Sequence, residues 1–342
     1  MNLKRVKRHQ SLKGPMVMGI DLGGTRIKTG LVDPRGKILL SKNFLTGLEA
    51  GKEKALRRIV NIIKKLIKIS EQLYSKPDLI GIGAPGVIDR AKGIIRHSPN
   101  FPDWIDVPLA RLIAEETGIR TFMDNDANVV TYGEKWIGAG QNFQSFICLT
   151  LGTGIGSGLF LDGNPWFGNQ GSGPEFGHIT IEPQGELCGC GNRGCLETLA
   201  SGSYLVKKAQ KGLDSNVPTL LSEMLKNKTK PLSAQVLFQA AQKKDPFATS
   251  LFADFGRYLG IALANIVHTL LLEGVILGGG VSKASTIFLP YLEKEFKKRL
   301  TMADAKLVSI RISSLGEKSG ILGAAKMAME KASNKQLLAH SS

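Results

Sequence analysis

Apolar residues recur along the chain with a period of two in short runs and a period near 3.6 in longer ones, and the alternation between the two predicts interleaved strands and helices. Val17 to Leu22 reads as a strand, Gly23-Gly24-Thr25 as a tight turn and Ile27 to Val32 as the returning strand. From about Glu53 to Leu73, Leu56, Ile59, Val60, Ile63, Leu66 and Ile67 fall at helical spacing, which predicts an amphipathic helix. A strand is expected at Asp78 to Gly83, and a helix at Leu109 to Thr117 stopped by Gly118. A further strand, Arg120 to Met123, leads through Asp124-Asn125-Asp126-Ala127-Asn128 into a helix ending near Trp136.

The second half opens on the same pattern. Phe146 to Leu151 is a strand, Gly152 to Gly158 a glycine-rich tip and Leu159 to Leu161 the returning strand, which repeats the order of Gly19 to Asp33 and predicts two domains of related topology. Ser201 to about Asn265 is expected to be helical, with a lysine-rich, proline-punctuated interruption between Gly212 and Pro231. The longest apolar run, Ile261 to Leu277, holds Asn265, His268 and Glu273, so it reads as a buried helix turning into the strand Gly274 to Leu277 and not as a membrane span. Ile310 to Ser314 is a last strand, Gly320 to Lys331 a last helix and Asn334 to Ser342 a frayed tail.

Composition narrows the class. With 342 residues, 42% hydrophobic and 22% charged, the chain can bury two ordinary soluble cores without a disulfide framework. The net charge of +16 implies contact with anions: nucleic acid, acidic lipid or phosphorylated ligands. The basic residues are spread over 52–68, 207–230 and 294–299, which fits solvated faces better than a nucleic-acid surface. A leader carrying Lys4, Arg5, Lys7, Arg8 and Lys13 has no apolar segment and is not a secretory signal. Cysteine is scarce and clustered, as in a reducing compartment.

The densest chemistry lies between Glu175 and Glu197. Cys188, Cys190 and Cys195 sit within eight residues, with His178 ten residues upstream. Three thiolates and an imidazole suit tetrahedral Zn²⁺ and leave no open coordination position, so the site reads as structural. Cys188 and Cys190, one residue apart, are poorly placed to form a disulfide with each other. Glu175 and Glu197 bracket the ligands and would be fixed in space by the metal.

Other candidate groups are weaker alone. The tips at Gly23-Gly24-Thr25 and Gly152-Thr153-Gly154 let backbone amides approach an anion, with Thr25 as a hydroxyl donor and Lys28 as a point charge, although Gly-Gly-Thr is equally a plain hairpin turn. Gly81-Ile-Gly83-Ala-Pro-Gly86 has dinucleotide-fingerprint spacing, but Pro85 and the extended Val87-Ile88-Asp89 replace the helix that such a motif requires. Asn100, in a polar loop from Arg96 to Trp104, offers both a donor and an acceptor. An Asp at the Asp124–Asn128 junction is as readily an N-cap as a general base at the carboxyl end of a strand. Gly278-Gly279-Gly280 after a buried strand permits close approach of a flat ligand such as a nucleotide base, or a bare strand-to-helix turn.

Together these pieces resemble the ROK family of sugar kinases and sugar-responsive regulators, bacterial glucokinases in particular. The resemblance runs from Gly19 to about Met329 and rests on Asp21-Leu-Gly-Gly-Thr-Arg-Ile-Lys28, Asn125-Asp126-Ala127-Asn128, Gly152-Thr-Gly-Ile-Gly156, Glu175-Phe-Gly-His178, Cys188-x-Cys190-Gly-x-x-Gly-Cys195-Leu-Glu197 and Leu277-Gly-Gly-Gly-Val-Ser282. It implies an α/β fold of two actin-like, ribonuclease H-like domains flanking a central cleft, with a zinc-stapled loop. The expected division is a disordered basic leader over 1–15, a small domain over 16–136 joined by a helix at about 318–332, a large domain over 137–317 with the zinc knot at 178–195, and a tail over 333–342.

The same resemblance implies an ATP-dependent hexose kinase, most simply a glucokinase of glycolysis, with Mg²⁺ on the nucleotide and structural Zn²⁺. Asp126 becomes the general base, and Asn100, Asn125, Glu175, His178 and Glu197 the remaining sugar ligands, with His178 shared between sugar and zinc. Asp21, Gly23, Gly24, Thr25, Lys28, Gly152, Thr153 and Gly154 would line the phosphates, and Gly278, Gly279 and Gly280 the adenosine. The expected partners are the hexose, ATP and further copies in a homodimer or homotetramer, with no specific nucleic acid and no membrane, in the cytoplasm. Fructose, allose, mannose and N-acetylmannosamine remain as substrates the same polar groups could serve, and a sugar-sensing regulator is the reading outside catalysis. Pro174, where the family usually has glycine, and Leu272-Glu273-Gly274, where Asp-Pro is common, depart from the pattern and bear on loop geometry.

Overall fold

The computed structural model describes residues 14–169, 171–226 and 231–339. Most of the expected basic leader and the last three residues of the expected tail thus lie outside the described residues, as does 227–230 of the lysine-rich interruption. The chain divides into two compact units. One takes the described parts of Met1–Asn142, Pro165–Gly173 and Ser314–Ser342, and the other Phe143–Asn164 and Pro174–Ser313.

The first unit is built from β1 (Val17–Leu22), β2 (Arg26–Val32), β3 (Ile38–Leu45), α1 (Lys52–Leu73), β4 (Leu79–Ala84), β5 (Val87–Asp89), β6 (Ile94–His97), α2 (Leu109–Thr117), β7 (Arg120–Asn125) and α3 (Asp126–Ile137). Its sheet has the order β3-β2-β1-β4-β7, with β1 and β2 antiparallel and β1, β4 and β7 parallel. β4 is buried along its whole length, as a central parallel strand covered on both faces should be. Met18, Ile20, Ile80 and Ile82 share one core with the apolar face of α1, Ile59, Ile63 and Leu66. The glycine pattern at 81, 83 and 86 is followed by β5 and not by a helix, as the proline there implies.

The second unit contains β8 (Phe146–Leu151), β9 (Ile155–Leu161), β10 (Asn164–Trp166), α4 (Gly202–Asp214), α5 (Leu221–Lys226), α6 (Ala234–Gln242), α7 (Pro246–Leu270), β11 (Gly274–Gly278), α8 (Ser285–Arg299) and β12 (Ser309–Ile312). The sheet order β10-β9-β8-β11-β12 reproduces that of the first unit strand for strand, again with an antiparallel hairpin feeding a parallel set. The repeat read from two short glycine hairpins therefore extends to whole sheets. α7 begins at Pro246 behind Asp245, whose carboxylate accepts the N–H of Ala248 at 2.7 Å and so caps the helix.

Two details differ from expectation. Residues 165–173, placed in the large domain by the sequence, belong to the first unit. Phe167 lies under the Arg90 guanidinium at 3.1 Å and stacks on Tyr132, and Asn128 Nδ2 donates to the Ser172 carbonyl at 3.1 Å. The last helix, α9 (Ser319–Ala339), also continues through much of the expected tail, because no glycine or proline interrupts 332–339.

α9 closes the first unit on the sheet face opposite α1, where Ile321, Leu322, Ala325 and Ala328 pack on Val17, Val32 and Leu79. The approach is close. A Cβ placed on Gly81 would stand 1.9 Å from the Ala324 carbonyl oxygen, so α9 can sit there only against a residue without a side chain. Gly81→Ala is accordingly expected to destabilise the protein by about 3 kcal/mol through overpacking, read as a lower urea midpoint at unchanged slope.

Candidate active site

In the first unit the candidate groups gather at the carboxyl ends of β1, β4 and β7. Parallel pairing sets Asp21 beside Gly83, Gly83 beside Asp124 and Ala84 beside Asn125, so the strand ends are level. The hairpin tip is held from below by the fully buried Thr46: its Oγ1 donates to the Gly23 carbonyl at 2.7 Å and its N–H to the Thr25 carbonyl at 3.0 Å. With those carbonyls occupied, the exposed Thr25 and the half-buried Gly24 form the outer side of the turn. A Cβ on Gly24 would lie 3.2 Å from Asn100 Nδ2, which places the loop bearing Asn100 against the tip. The same loop backs onto Gly86, whose carbonyl accepts Asn125 Nδ2 at 3.0 Å. Hairpin tip, Asn100, Gly86 and Asn125 thus form one neighbourhood.

The Asp124–Asn128 segment separates into distinct roles. Asp124 is fully buried and pairs with Arg90; its carboxylate also accepts the Asn125 N–H at 2.8 Å and Asn128 Nδ2 at 3.1 Å, with Lys331 Nζ at 3.8 Å. It is a structural anchor. Asn125 is the N-cap of α3, its Oδ1 accepting the N–H groups of Ala127 at 2.9 Å and Asn128 at 3.4 Å. Asp126 opens α3 one residue on, half-buried, with Oδ1 accepting from the Ala127 N–H at 2.9 Å. Asp124→Ala is expected to cost about 3–5 kcal/mol, because Arg90 is left without its buried counter-charge; thermal unfolding measures it.

Asp21 and Lys28 stand opposite each other in the hairpin, 3.9 Å apart, and Lys28 Nζ is also 3.7 Å from Glu317. Desolvation raises the Asp21 pKa, and Lys28 only partly offsets this. Lys28 therefore sits between two carboxylates of its own unit, where the sequence suggested a cation reaching forward from the tip.

In the second unit the counterpart tip is fixed by a helix start. The first N–H groups of α4, from Gly202 and Ser203, donate to the carbonyls of Gly152 at 2.8 Å and Thr153 at 3.2 Å. From the other side, Glu197 Oε2 accepts the Ile155 N–H at 2.8 Å. Gly279, at φ +83°, passes so close to β8 that a Cβ would meet the Leu151 carbonyl oxygen at 2.4 Å, whereas a Cβ on Gly280 would meet nothing within 4 Å. Gly279 is required by the fold, and the space beside Gly280 is open.

His178, Cys188, Cys190 and Cys195 come together with all four ligand atoms within 4.8 Å of one another. His178 Nδ1 is 3.6 Å from Cys188 Sγ, and the Cys190 and Cys195 sulfurs are 3.7 Å apart. Zn–S bonds of about 2.3 Å in a tetrahedron imply sulfur–sulfur edges of about 3.8 Å, so the donor set and its spacing fit zinc. Burial and the neighbouring thiols push the Cys195 thiol up to about 12. On the adjoining turn, desolvation raises the Glu175 pKa, with Glu197 adding to the shift and His178 opposing it. Glu175, His178 and Glu197 are thus electrostatic neighbours.

Sequence reading missed the groups that hold these residues. Thr46, Arg90 and Ser157 carry no motif, and their partners lie 17 to 34 residues away along the chain. A threonine beyond the hairpin, an arginine on an irregular turn and a serine among glycines give no pattern to read.

A profile of the ROK family matches residues 17–331. The glucokinase of Thermotoga maritima is 39% identical over 315 residues, covering 92% of this chain and 98% of that protein. A crystal structure of a ROK family glucokinase from Streptomyces griseus in complex with glucose and AMPPNP superposes with a TM-score of 0.78 at 32% identity, over 92% of this chain and 99% of that one. The xylose repressor of Bacillus subtilis is 32% identical over 90% of this chain and 75% of its own length. With both glycine hairpins, the Cys₃His cluster and its flanking carboxylates in place, and a profile match along nearly the whole length, the chain belongs to the ROK family.

Proposed function

We propose that this protein transfers the γ-phosphoryl group of ATP to the 6-hydroxyl of a hexose, glucose first among them. The observation that carries the reading is Glu197. It follows the candidate metal ligand Cys195 by two residues and accepts the N–H of Ile155 beside the second glycine hairpin, so the carboxylate we assign to the sugar lies against the loop we assign to the phosphates. The likeness to glucokinases along nearly the whole chain supports the same reading.

Asp126, at the start of α3, aligns the attacking hydroxyl and takes its proton as the bond to phosphorus forms. Glu175, Glu197, His178, Asn100 and the remaining Asn125 amide hydrogen bind the other hydroxyls; carboxylates and amides can distinguish their orientations. His178 directs Nδ1 toward the cysteines, so Nε2, on the far side of the ring, serves the sugar. Zinc at this cluster would supply rigidity without an open coordination position, and Mg²⁺ bound with ATP would spread phosphate charge. Backbone amides at Gly24, Thr25, Thr153 and Gly154 take the phosphates, and the open space beside Gly280 the adenosine. The reading carries with it cytoplasmic work in glycolysis as a homodimer or homotetramer, without nucleic-acid or membrane partners. Among the described residues no helix is long and apolar enough to cross a membrane.

The test is ADP release with MgATP across a panel of glucose, mannose, fructose, allose and N-acetylmannosamine. Glucose is expected to give the highest kcat/KM. No hexose-dependent ADP from any of the five overturns the kinase reading, and hexose binding without turnover would leave a sensor.

A further inference from the structure

We infer that Ser157 is the positioning residue for Glu175, and that its hydroxyl sets the affinity for sugar without touching it. The inference rests on the proposed role of Glu175 as a sugar ligand. Ser157 lies in β9 and is buried, 4% exposed. Its Oγ donates to the Pro174 carbonyl at 2.7 Å and accepts the Phe176 N–H at 3.0 Å. Those two backbone groups immediately flank Glu175. One hydroxyl therefore holds the peptide on both sides of the carboxylate residue and fixes its backbone at φ −113° and ψ 56°, outside the ordinary strand and helix wells.

Among the described residues no other side chain bonds both of these backbone groups. Pro174 has no N–H, so its carbonyl is its only backbone handle. The His178 N–H returns to the Glu175 carbonyl at 2.9 Å, closing the turn on the far side but leaving the 174–176 segment tied to the sheet through Ser157. The proline that departs from the family pattern is thus the residue whose carbonyl the serine grips. Ser157 is flanked by Gly156 and Gly158, so on this stretch of β9 it is the side chain able to bridge a donor and an acceptor at once. Removing the hydroxyl leaves a buried C=O and a partly buried N–H unpaired, and the segment must shift or take up water to satisfy them. Either change moves the Glu175 carboxylate.

The experiment compares wild type, Ser157→Ala, Ser157→Thr, Glu175→Ala and the Ser157→Ala/Glu175→Ala double variant in steady-state phosphorylation of glucose by MgATP. Ser157→Ala is expected to raise the glucose KM about tenfold, the cost of a misplaced hydrogen bond to a charged group, with the ATP KM within about twofold of wild type on the same reasoning. Ser157→Thr, which keeps the hydroxyl, is expected to restore the glucose KM. In the Glu175→Ala background the serine substitution should add no further rise, because there is no carboxylate left to position. A serine effect that persists in that background, or that falls equally on ATP, shows general loosening and overturns the inference. A Glu175→Ala enzyme with an unchanged glucose KM overturns the underlying role of Glu175, and the inference with it, whereas a raised KM there beside a normal Ser157→Ala enzyme removes the inference alone. Should the alanine variant not fold, Ser157→Cys keeps the volume with weaker bonds, and an unchanged glucose KM in that variant is equally decisive against the inference.

Discussion

Asp126→Asn is expected to lower kcat for glucose phosphorylation by about 10²–10⁴-fold, the range general-base catalysis contributes, while glucose still binds. The substitution is nearly isosteric, and the amide oxygen can still accept the Ala127 N–H that Asp126 Oδ1 now takes at 2.9 Å. The helix start does not depend on it. Asn125 caps α3 with its own side chain, and Asp124 is anchored separately by Arg90, so neither the end of β7 nor the first turn of α3 loses its support. Stability is therefore expected to change by no more than about 0.5 kcal/mol. ADP release and glucose calorimetry on the same preparation separate the two effects. A fall in kcat of less than tenfold would place the base elsewhere, and a parallel loss of glucose binding would mark Asp126 as a ligand first.

Removing the metal is expected to act on the sugar before the nucleotide. His178 and Glu197 belong to the loop that the metal would order, as a candidate ligand and as the residue two beyond the buried candidate ligand Cys195. Misplacing either forfeits a hydrogen bond to a charged or polarised group, which corresponds to about tenfold or more in glucose affinity. The phosphate-type hairpin has an independent support: the N–H groups of Gly202 and Ser203 hold the carbonyls of Gly152 and Thr153 from α4, whose own start is capped by Ser201. AMPPNP affinity is therefore expected to stay within about threefold, since those contacts survive. Calorimetry on chelator-treated protein, with zinc re-addition as the reversal, measures both. Equal losses of both ligands would reduce the knot to a general staple.

The elements and the candidate residues stood out in the sequence where one residue type or one period dominates. The two glycine hairpins, the amphipathic α1, the Gly118 stop and the Cys₃His spacing each carry a local physical reason that survives into the fold. β3 was not legible: Ile38–Leu45 is an edge strand with mixed exposure, and Ser41, Lys42 and Asn43 break the alternation that marks a half-buried strand. The course of 165–173 was hidden for a different reason. Its assignment depends on Phe167 finding Arg90 and Tyr132, a match of ring and cation far apart in the chain. Within the candidate site the residues with chemistry were readable and those that hold them were not. A buried threonine or serine contributes through one or two hydrogen bonds to distant backbone, and hydrogen bonds leave no periodicity.

The return of α9 to the first unit has a consequence for how the molecule is made. As the nascent chain leaves the ribosome, β1 to β7 emerge before α9, yet the face carrying Gly19, Gly81, Val17 and Leu79 lacks much of its cover until Ile321 to Ala328 follow. The second unit needs nothing beyond Ser313. The second unit is thus the first that can finish, and the first unit waits for α9 with that apolar face incompletely covered, a natural client for chaperones.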